Sequence, residues 1–234
     1  MERYYKIAGL TVKMDTFGRT LRQAEAYRCG EEETVDVTIR SRMAQWKQRY
    51  PDLPDEDCEY LSTGYNFYRQ LMDFDGMMLH SSAVVVDGKA YLFTADPGTG
   101  KSTHTKLWLE RFGDRAFILN DDKPAVRLVD GVWYAFGTPW SGKNDVSRNV
   151  GAPLGGIALL ERSQENWICP ASSLEAVRAI MKQVNRPKWA DYRVKLMQLM
   201  NQLITQVPVW KLGCNMDPQA AAVAYEAMAG GKEN

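Results

Sequence analysis

The chain has 234 residues, 45% of them apolar and 25% charged, and its 29 Lys and Arg residues balance its 29 Asp and Glu residues. These proportions are those of ordinary globular proteins and exclude disordered and fibrous chains. Because the formal net charge is zero, no overall field attracts nucleic acid or an anionic membrane, and we expect neither as a partner.

The sequence also carries no pattern that predicts export or membrane insertion. Residues 1–6 lack the apolar stretch of a signal peptide, and no run approaches the roughly 20 apolar residues that cross a bilayer. We therefore expect a cytoplasmic location. The four cysteines are far apart and form no C-x-x-C pair, so we expect reduced thiols and not a zinc site or a disulfide framework.

The first predicted elements are strands. Residues 5–14 and 33–39 are rich in β-branched and aromatic side chains, which predicts one strand in each segment. Residues 50–57 combine prolines with acidic residues and are typical of a linker. We therefore expect residues 1–52 to form a β-rich segment that packs on a core of residues 53–234, together making one compact unit.

The central part of the chain is predicted to continue with a helix and a hairpin. Apolar residues recur at helical spacing over 59–72. Two apolar runs, 76–86 and 90–94, flank Asp87-Gly88, a dipeptide that favours a tight hairpin turn. Later elements are predicted as helices over 101–112, from 190 and from 217, and as strands over 116–119, 126–128, 132–136, 157–160 and 207–212.

A glycine-rich loop joins the second strand of this hairpin to the next helix. A triphosphate presents several negative oxygens, which a protein binds with consecutive backbone N–H groups, a helix N-terminus and one lysine. Gly98 and Gly100 let the backbone curl around the β-phosphate, and Lys101 reaches the β- and γ-phosphates. The loop therefore predicts an ATP site with Mg²⁺ on the hydroxyl of Ser102. The predicted nucleotide contacts are Asp96, Pro97, Gly98, Thr99, Gly100, Lys101, Ser102 and Thr103.

Two adjacent carboxylates follow the next predicted strand. A protein with this topology places there the carboxylates that hold Mg²⁺ and handle the proton of the acceptor. We assign Asp121 to the acceptor and Asp122, with Ser102, to the metal, although residue type alone does not separate the two roles. The alternative is an Asn-Asp-Asp turn whose side chains bond their own backbone.

His80 and Lys101 complete the predicted catalytic set. His80 lies in an apolar run expected to pair beside the loop, and the alternative is a histidine whose hydrogen bonds are satisfied within the core. A second glycine-rich segment supplies Ser141, Gly142 and Lys143, which either contact the acceptor or form a solvated turn. Three arginines are further candidates for an anion pocket, namely Arg148, Arg162 and Arg186.

These motifs together resemble the HPr kinase/phosphorylase group, the bacterial relatives of the ATP-dependent phosphoenolpyruvate carboxykinases. The resemblance is carried by His80 followed by Ser-Ser-Ala-Val-Val-Val-Asp-Gly, by the loop over 96–102, and by Asp121-Asp122. It departs from the family at Ala95 and Pro97, where the family has Gly and Ser. The resemblance implies an α/β fold on a mixed, strongly bent sheet with flanking helices, Mg-ATP binding, and phosphoryl transfer to a hydroxyl.

The leading hypothesis is therefore an HPr-kinase-like phosphotransferase that uses ATP and Mg²⁺. Its acceptor would be a serine-type hydroxyl of a protein, peptide or small molecule, and a homo-oligomer is compatible with the sequence. Two alternatives stay open. One is a regulatory protein that binds ATP without transfer, and the other is an enzyme similar to phosphoenolpyruvate carboxykinase.

Overall fold

The computed structural model describes residues 2–31 and 34–230 and has a mixed α/β fold. Within these residues the strands form a four-stranded sheet and a nine-stranded sheet. The strands are β1 (Arg3–Ile7), β2 (Leu10–Met14), β3 (Arg28–Cys29), β4 (Val37–Ile39), β5 (Gly76–Met78), β6 (Ser81–Val86), β7 (Lys89–Thr94), β8 (Ala116–Asp122), β9 (Ala125–Val129), β10 (Val132–Phe136), β11 (Gly151–Arg162), β12 (Trp167–Pro170) and β13 (Val209–Cys214). The helices are α1 (Gly18–Ala24), α2 (Met43–Arg49), α3 (Asp55–Leu71), α4 (Lys101–Phe112), α5 (Ser173–Gln183), α6 (Ala190–Gln206) and α7 (Gln219–Gly230).

The smaller sheet is built from the N-terminal strands in the order β3-β1-β2-β4. The single strand predicted over 5–14 is wrong, because Ala8 and Gly9 adopt positive φ angles of 53° and 76° and reverse the chain into an antiparallel hairpin. Of the strand predicted over 33–39, only Val37–Ile39 is a strand, which pairs parallel to β2. Glu33 lies outside the described residues.

The larger sheet has the order β5-β9-β10-β11-β7-β6-β8, with β13 beside β11 and β12 beside β13. It is mixed, since β11 runs parallel to β7 and β13 while β6 is antiparallel to β7 and β8. The long strand β11 pairs with β10 at its start and with β7 and β13 later, with an irregularity between Leu154 and Gly156. One strand thereby carries the sheet around a bend.

The larger sheet is buried on both faces. Along β6, Ala83 and Val85 belong to a core with α5 and α6, whereas Val84 and Val86 belong to a second core with α4 and α7. This follows from the two-residue period of a strand. A strand covered on both sides is mainly apolar, and β6 is buried along its whole length and apolar from Ala83 to Val86.

A third core joins the N-terminal sheet to α3. It contains Tyr5, Val12 and Phe67, and Trp140 from the chain after β10 belongs to the same core. Arg127 of β9 donates hydrogen bonds to the carbonyls of Ala8 at 2.6 Å and Phe74 at 3.0 Å. The N-terminal segment therefore contacts the larger sheet directly, while the division at residue 52 stays a prediction.

Several predicted boundaries differ from the structure. The helix predicted over 59–72 begins earlier, at Asp55, so part of the supposed linker is helical. The apolar run 76–86 is two strands, and His80 lies between them instead of within a strand. The helix predicted over 101–112 is confirmed. Among residues 2–31 and 34–230, no helix is both long enough and apolar enough to cross a membrane.

Candidate functional site

The glycine-rich loop connects β7 to α4. Gly98 and Gly100 have φ angles of 78° and 121°, which side-chain-bearing residues rarely adopt, while a Cβ at either position would meet no atom within 4 Å. Glycine is thus needed here for backbone conformation and not for space. No side chain caps the N-terminus of α4, so the first N–H groups of the helix are available to an anion.

The loop is held in place by two cations. Arg162, at the end of β11, donates to the carbonyls of Gly98 at 2.6 Å and Thr99 at 3.3 Å. Lys101 donates to the carbonyl of Ala95 at 3.0 Å. Burial lowers the pKa of Lys101, and the nearby carboxylates, foremost Asp122, act against this shift. Lys101 lies beside the loop backbone that a phosphate would contact.

Asp121 accepts three hydrogen bonds that tie β8 to its surroundings. Its Oδ1 accepts from the hydroxyl of Ser102 at 2.7 Å and from that of Ser82 at 2.8 Å, and its Oδ2 accepts from Asn144 at 2.9 Å. The contact with Ser82 follows from strand register, since Ser82 of β6 pairs with Asp121. The structure therefore brings together a hydroxyl and a carboxylate, which are oxygen ligands suited to Mg²⁺.

Asp122 has a different set of partners. His80 donates from Nε2 to its Oδ1 at 2.8 Å, and Lys123 forms an ion pair with its Oδ2. Burial acts to raise the pKa of Asp122, but the hydrogen bond from His80 and the charge of Lys123 outweigh it and lower this pKa to about 2. Asp122 therefore remains a carboxylate at any physiological pH.

His80 is fixed from several directions. Its Nδ1 lies 2.8 Å from Oε1 of Gln183, its backbone N–H donates to the carbonyl of Gln183 at 2.8 Å, and its carbonyl accepts from Thr94 at 2.9 Å. The backbone of Asp122 has a φ of 152°, which is uncommon for a residue other than glycine. This departure from regular strand geometry allows neighbouring carboxylates to line one cavity, although alternate strand residues point to opposite faces.

That cavity has a volume of about 530 Å³, within the roughly 300–1,000 Å³ of small-molecule sites. Because of the function proposed below, we call it the catalytic cavity. It is lined by Arg19, Tyr60, His80, Pro97, Gly98, Gly100, Lys101, Ser102, Thr103, Asp121, Asp122, Lys123, Gly142, Lys143 and Asn144. Most of the predicted site residues therefore meet around one space.

The second glycine-rich segment reaches the catalytic cavity only in part. Gly142 and Lys143 line it, whereas Ser141 is fully buried and donates to Asp145 at 3.0 Å. A Cβ at Gly142 would lie 2.6 Å from the Cβ of Asp122. A side chain at this position would therefore displace Asp122.

The remaining predicted loop residues, Asp96 and Thr99, contact each other. They close the turn, with the amide and hydroxyl of Thr99 donating to the carbonyl of Asp96 at 3.3 and 2.8 Å. They line a second cavity of about 600 Å³ together with Pro97 and Arg162. Thr94 and Gln183, which both contact His80, also line this second cavity.

The second histidine and the three candidate arginines lie in different surroundings. His104 is buried, burial lowers its pKa to about 4, and its Nε2 accepts from Trp108 at 3.0 Å. The guanidinium of Arg148 lies 4.5 Å from the ring centroid of Phe117. Arg186 lines a separate groove. Of the three arginines, only Arg162 contacts the loop.

Residues at the cavity that sequence reasoning missed come from distant segments. Arg19 and Tyr60, which line the cavity, belong to α1 and α3, and Gln183, which contacts His80, ends α5. Burial raises the pKa of Tyr60 to about 12, so its phenol stays protonated. Among the missed residues, only Asn144 and Lys123 could have been suspected from the sequence, because each directly follows a predicted site segment. Among residues 2–31 and 34–230, no group of three or more His, Cys, Asp or Glu side chains could enclose a metal ion.

Comparison with known proteins provides a distant structural likeness. No family model and no curated protein sequence matches this chain. The structure of the Hpr(Ser) kinase/phosphatase from Coxiella burnetii is similar with a TM-score of 0.38 and 12% identity, over 65% of this chain and 97% of that chain. At this distance the similarity adds nothing to an argument about activity, and membership of the family stays a prediction.

Proposed function

We propose that the protein is a phosphotransferase that uses Mg-ATP and transfers the γ-phosphate to a hydroxyl group. The proposal depends chiefly on one observation, the 2.7 Å hydrogen bond between Ser102 at the end of the glycine-rich loop and the carboxylate of Asp121. The His80–Asp122 pair faces the same cavity. A phosphate-binding turn, a magnesium-type donor set and a positioned carboxylate are the parts that phosphoryl transfer requires.

The loop side of the cavity would bind the phosphates. The free N–H groups of α4 and the ammonium of Lys101 neutralise phosphate charge, which is where most catalysis of phosphoryl transfer arises. Lys101 must exchange its bond to the Ala95 carbonyl for a phosphate oxygen. Ser102 and Asp121 would hold Mg²⁺, which when bound neutralises charge on the phosphate oxygens.

The other side of the cavity would receive the acceptor. We assign Asp122 to the acceptor hydroxyl and Asp121 to the metal, which reverses the assignment made from the sequence, because it is Asp121 that shares a hydrogen bond with Ser102. A carboxylate with a pKa of about 2 is a weak base. It can still accept a hydrogen bond from the hydroxyl and orient it, which is the main demand when the transition state is loose. His80 and Lys123 hold the carboxylate in position.

Titration calorimetry with ATP, in the presence and absence of Mg²⁺, tests the binding part of this proposal. Wild type should bind Mg-ATP, and Lys101→Ala should lose most of that affinity. Lys106→Ala is a matched control, since Lys106 lies exposed on the same helix. Incubation with γ-labelled ATP and fractions of cell extract, followed by location of the label, tests transfer. Absence of magnesium-dependent ATP affinity in wild type would rule the proposal out.

A further inference from the structure

A groove with a strong local positive charge lies between α2, α3 and the connection from α5 to α6. It has a volume of about 610 Å³ and we call it the basic groove. Its lining contains no carboxylate and five cationic side chains, which are Arg42, Arg49, Arg69, Arg186 and Lys188. The chain as a whole has a formal net charge of zero, so this concentration of positive charge is local.

The cations of the basic groove have no carboxylate partner. None of the five forms an ion pair in the described part of the chain, whereas many other Lys and Arg residues do. Instead, Arg69 lies 5.7 Å from the ring centroid of Trp189, and Arg49 lies 5.3 Å from that of Tyr50. Aromatic contacts position these guanidinium groups without neutralising them. The groove is therefore ready to bind a molecule that carries several negative charges.

A smaller cavity lies between the basic groove and the catalytic cavity, because it shares lining residues with both. We call it the aromatic passage; it has a volume of about 140 Å³. It shares Trp46 and Tyr65 with the basic groove, and His80 and Lys123 with the catalytic cavity. Its walls are mainly apolar and include Leu61, Tyr68, Met78 and Trp140. The passage is smaller than the roughly 300 Å³ at which whole-ligand sites begin, and it suits one apolar side chain.

We propose that these two spaces bind an acidic peptide segment of the acceptor. Its acidic side chains contact the basic groove, an apolar side chain enters the aromatic passage, and a neighbouring serine-type hydroxyl reaches Asp122. This inference rests on the proposed phosphotransferase function for the identity of the acceptor, but the binding of the peptide does not require ATP.

The arrangement favours a peptide over a nucleic acid strand. The five cations come from α2 and the residue before it, from α3, and from the connection after α5, so the matching negative charges must be spread along an extended molecule. Both polymers meet that condition. However, a nucleobase in the aromatic passage would bury polar edge atoms against mainly apolar walls, which is costly without hydrogen bonds. An apolar side chain carries no such cost.

Fluorescence anisotropy without nucleotide tests the proposal. The probe is a fluorescein-labelled peptide with a single Ser, a Leu next to it and a run of Glu, and its counterpart has Lys in place of Glu. Wild type should bind only the Glu peptide, more weakly as salt rises. The double variant Arg42→Glu, Arg186→Glu should weaken binding by about tenfold or more, since each charge-assisted hydrogen bond contributes on the order of tenfold.

A matched control separates the groove from overall charge. The double variant Lys89→Glu, Lys106→Glu reverses two exposed cations that line none of these three spaces, and it should bind the Glu peptide like wild type. Equal affinity for the Lys peptide, or unchanged binding by the groove variant, would overturn the proposal. So would tighter, groove-dependent binding of a labelled oligothymidine. If calorimetry shows no ATP affinity in wild type, the phosphotransferase fails, while the peptide measurement still decides on the groove.

Discussion

The neighbouring carboxylates of Asp121 and Asp122 have different electrostatic surroundings because their hydrogen-bond partners differ. Asp121 is bonded to hydroxyl and amide groups that carry no charge, whereas Asp122 lies between His80 and the ammonium of Lys123. A cation beside a carboxylate stabilises its charge. Among the residues that the structure describes, no cation is hydrogen-bonded to Asp121, which suits it to the proposed Mg²⁺ site, while the charge of Asp122 is already compensated, which suits it to the proposed role of orienting a hydroxyl.

Replacing Asp122 by Asn should separate transfer from binding. We expect the transfer rate to fall about 100-fold, the order of loss when a reacting group is no longer held in position. The dissociation constant for Mg-ATP should change little, because Asp122 does not contact the loop hydroxyl. Steady-state transfer and calorimetry measure the two effects. A variant that transfers phosphate at the wild-type rate would remove Asp122 from the mechanism, and a wild type that binds ATP without transfer would favour the regulatory alternative.

Replacing Asp121 by Asn should instead act through the metal. We expect the dissociation constant for Mg-ATP to rise about tenfold, the effect of losing one charge-assisted contact. ATP in the presence of a chelator should bind the variant as well as wild type or better, because a negative charge near the phosphates has been removed. Asp130→Asn in the turn after β9 is the control. If the variant loses affinity equally for Mg-ATP and for ATP without Mg²⁺, Asp121 is not a metal ligand.

At the scale of elements, the conformation of the glycine-rich loop depends on a strand that is distant in sequence. The guanidinium of Arg162, from the end of β11, contacts two carbonyls of the loop. By holding these two carbonyls, the arginine restrains the backbone of the loop, which carries the N–H groups that an anion would contact. The loop is therefore shaped partly by β11 and not by its own sequence alone.

Arg162→Ala should weaken Mg-ATP binding severalfold to tenfold through this contact, since hydrogen bonds to charged groups contribute on that order. Thermal unfolding should change little, because the guanidinium is exposed. Arg162→Lys should recover only part of the affinity, as one ammonium replaces a two-pronged donor. Arg178→Ala, exposed on α5, is the control. Unaltered affinity in Arg162→Ala would show that the loop keeps its shape unaided.

Local sequence signals predicted some elements and not others. The Asp87-Gly88 turn and the limits of α4 were predicted because turn and helix-end chemistry lie within a few residues. The break at His80 was missed, since apolar residues on both sides of it suggest one continuous strand, whereas the pairing partners change there, from β9 for β5 to β8 for β6. Helix α5 was overlooked although its capping box, formed by Ser172 and Glu175, is visible in the sequence.

The candidate site likewise contains residues that local sequence predicts and residues that it does not. The residues that a phosphate loop requires were predicted from spacing, and the structure gathers most of them around the catalytic cavity. The contacts that distinguish Asp121 from Asp122 were not predictable, because they depend on the register between β6 and β8 and on the position of Asn144. Arg19 and Tyr60 had no local signal, since tertiary packing alone brings them to the cavity.

At the scale of the whole molecule, a buried acid links the N-terminal segment to α3. Glu59 is fully buried and accepts hydrogen bonds from Thr16 and Thr20. Burial raises its pKa above the ordinary value of 4.5, although the two hydroxyls act against this shift. The folded protein therefore binds a proton at Glu59 more tightly than the unfolded chain does, and ionisation of Glu59 is unfavourable for folding.

This raised pKa predicts that the free energies of unfolding of wild type and Glu59→Gln differ by an amount that depends on pH. Because the folded pKa lies above the unfolded value, the relative stability of wild type is greatest below about 4.5 and is lost as pH rises through the folded pKa. Urea unfolding of both proteins from pH 4 to pH 8 measures it, with Glu110→Gln on the surface of α4 as control. A difference in unfolding free energy that does not vary with pH would contradict this explanation.

The guanidinium of Arg19 also has a consequence for coupling across the molecule. It donates to the carbonyl of Gly142, two residues before the amide that holds Asp121. A ligand that binds in the cavity and orders this segment should therefore stabilise the contact between α1 and the segment. The contact should stabilise the bound ligand by the same free energy, because coupling between two sites is reciprocal. Amide hydrogens of α1 should accordingly exchange more slowly when Mg-ATP is added, and the Arg19→Ala variant should lose that protection.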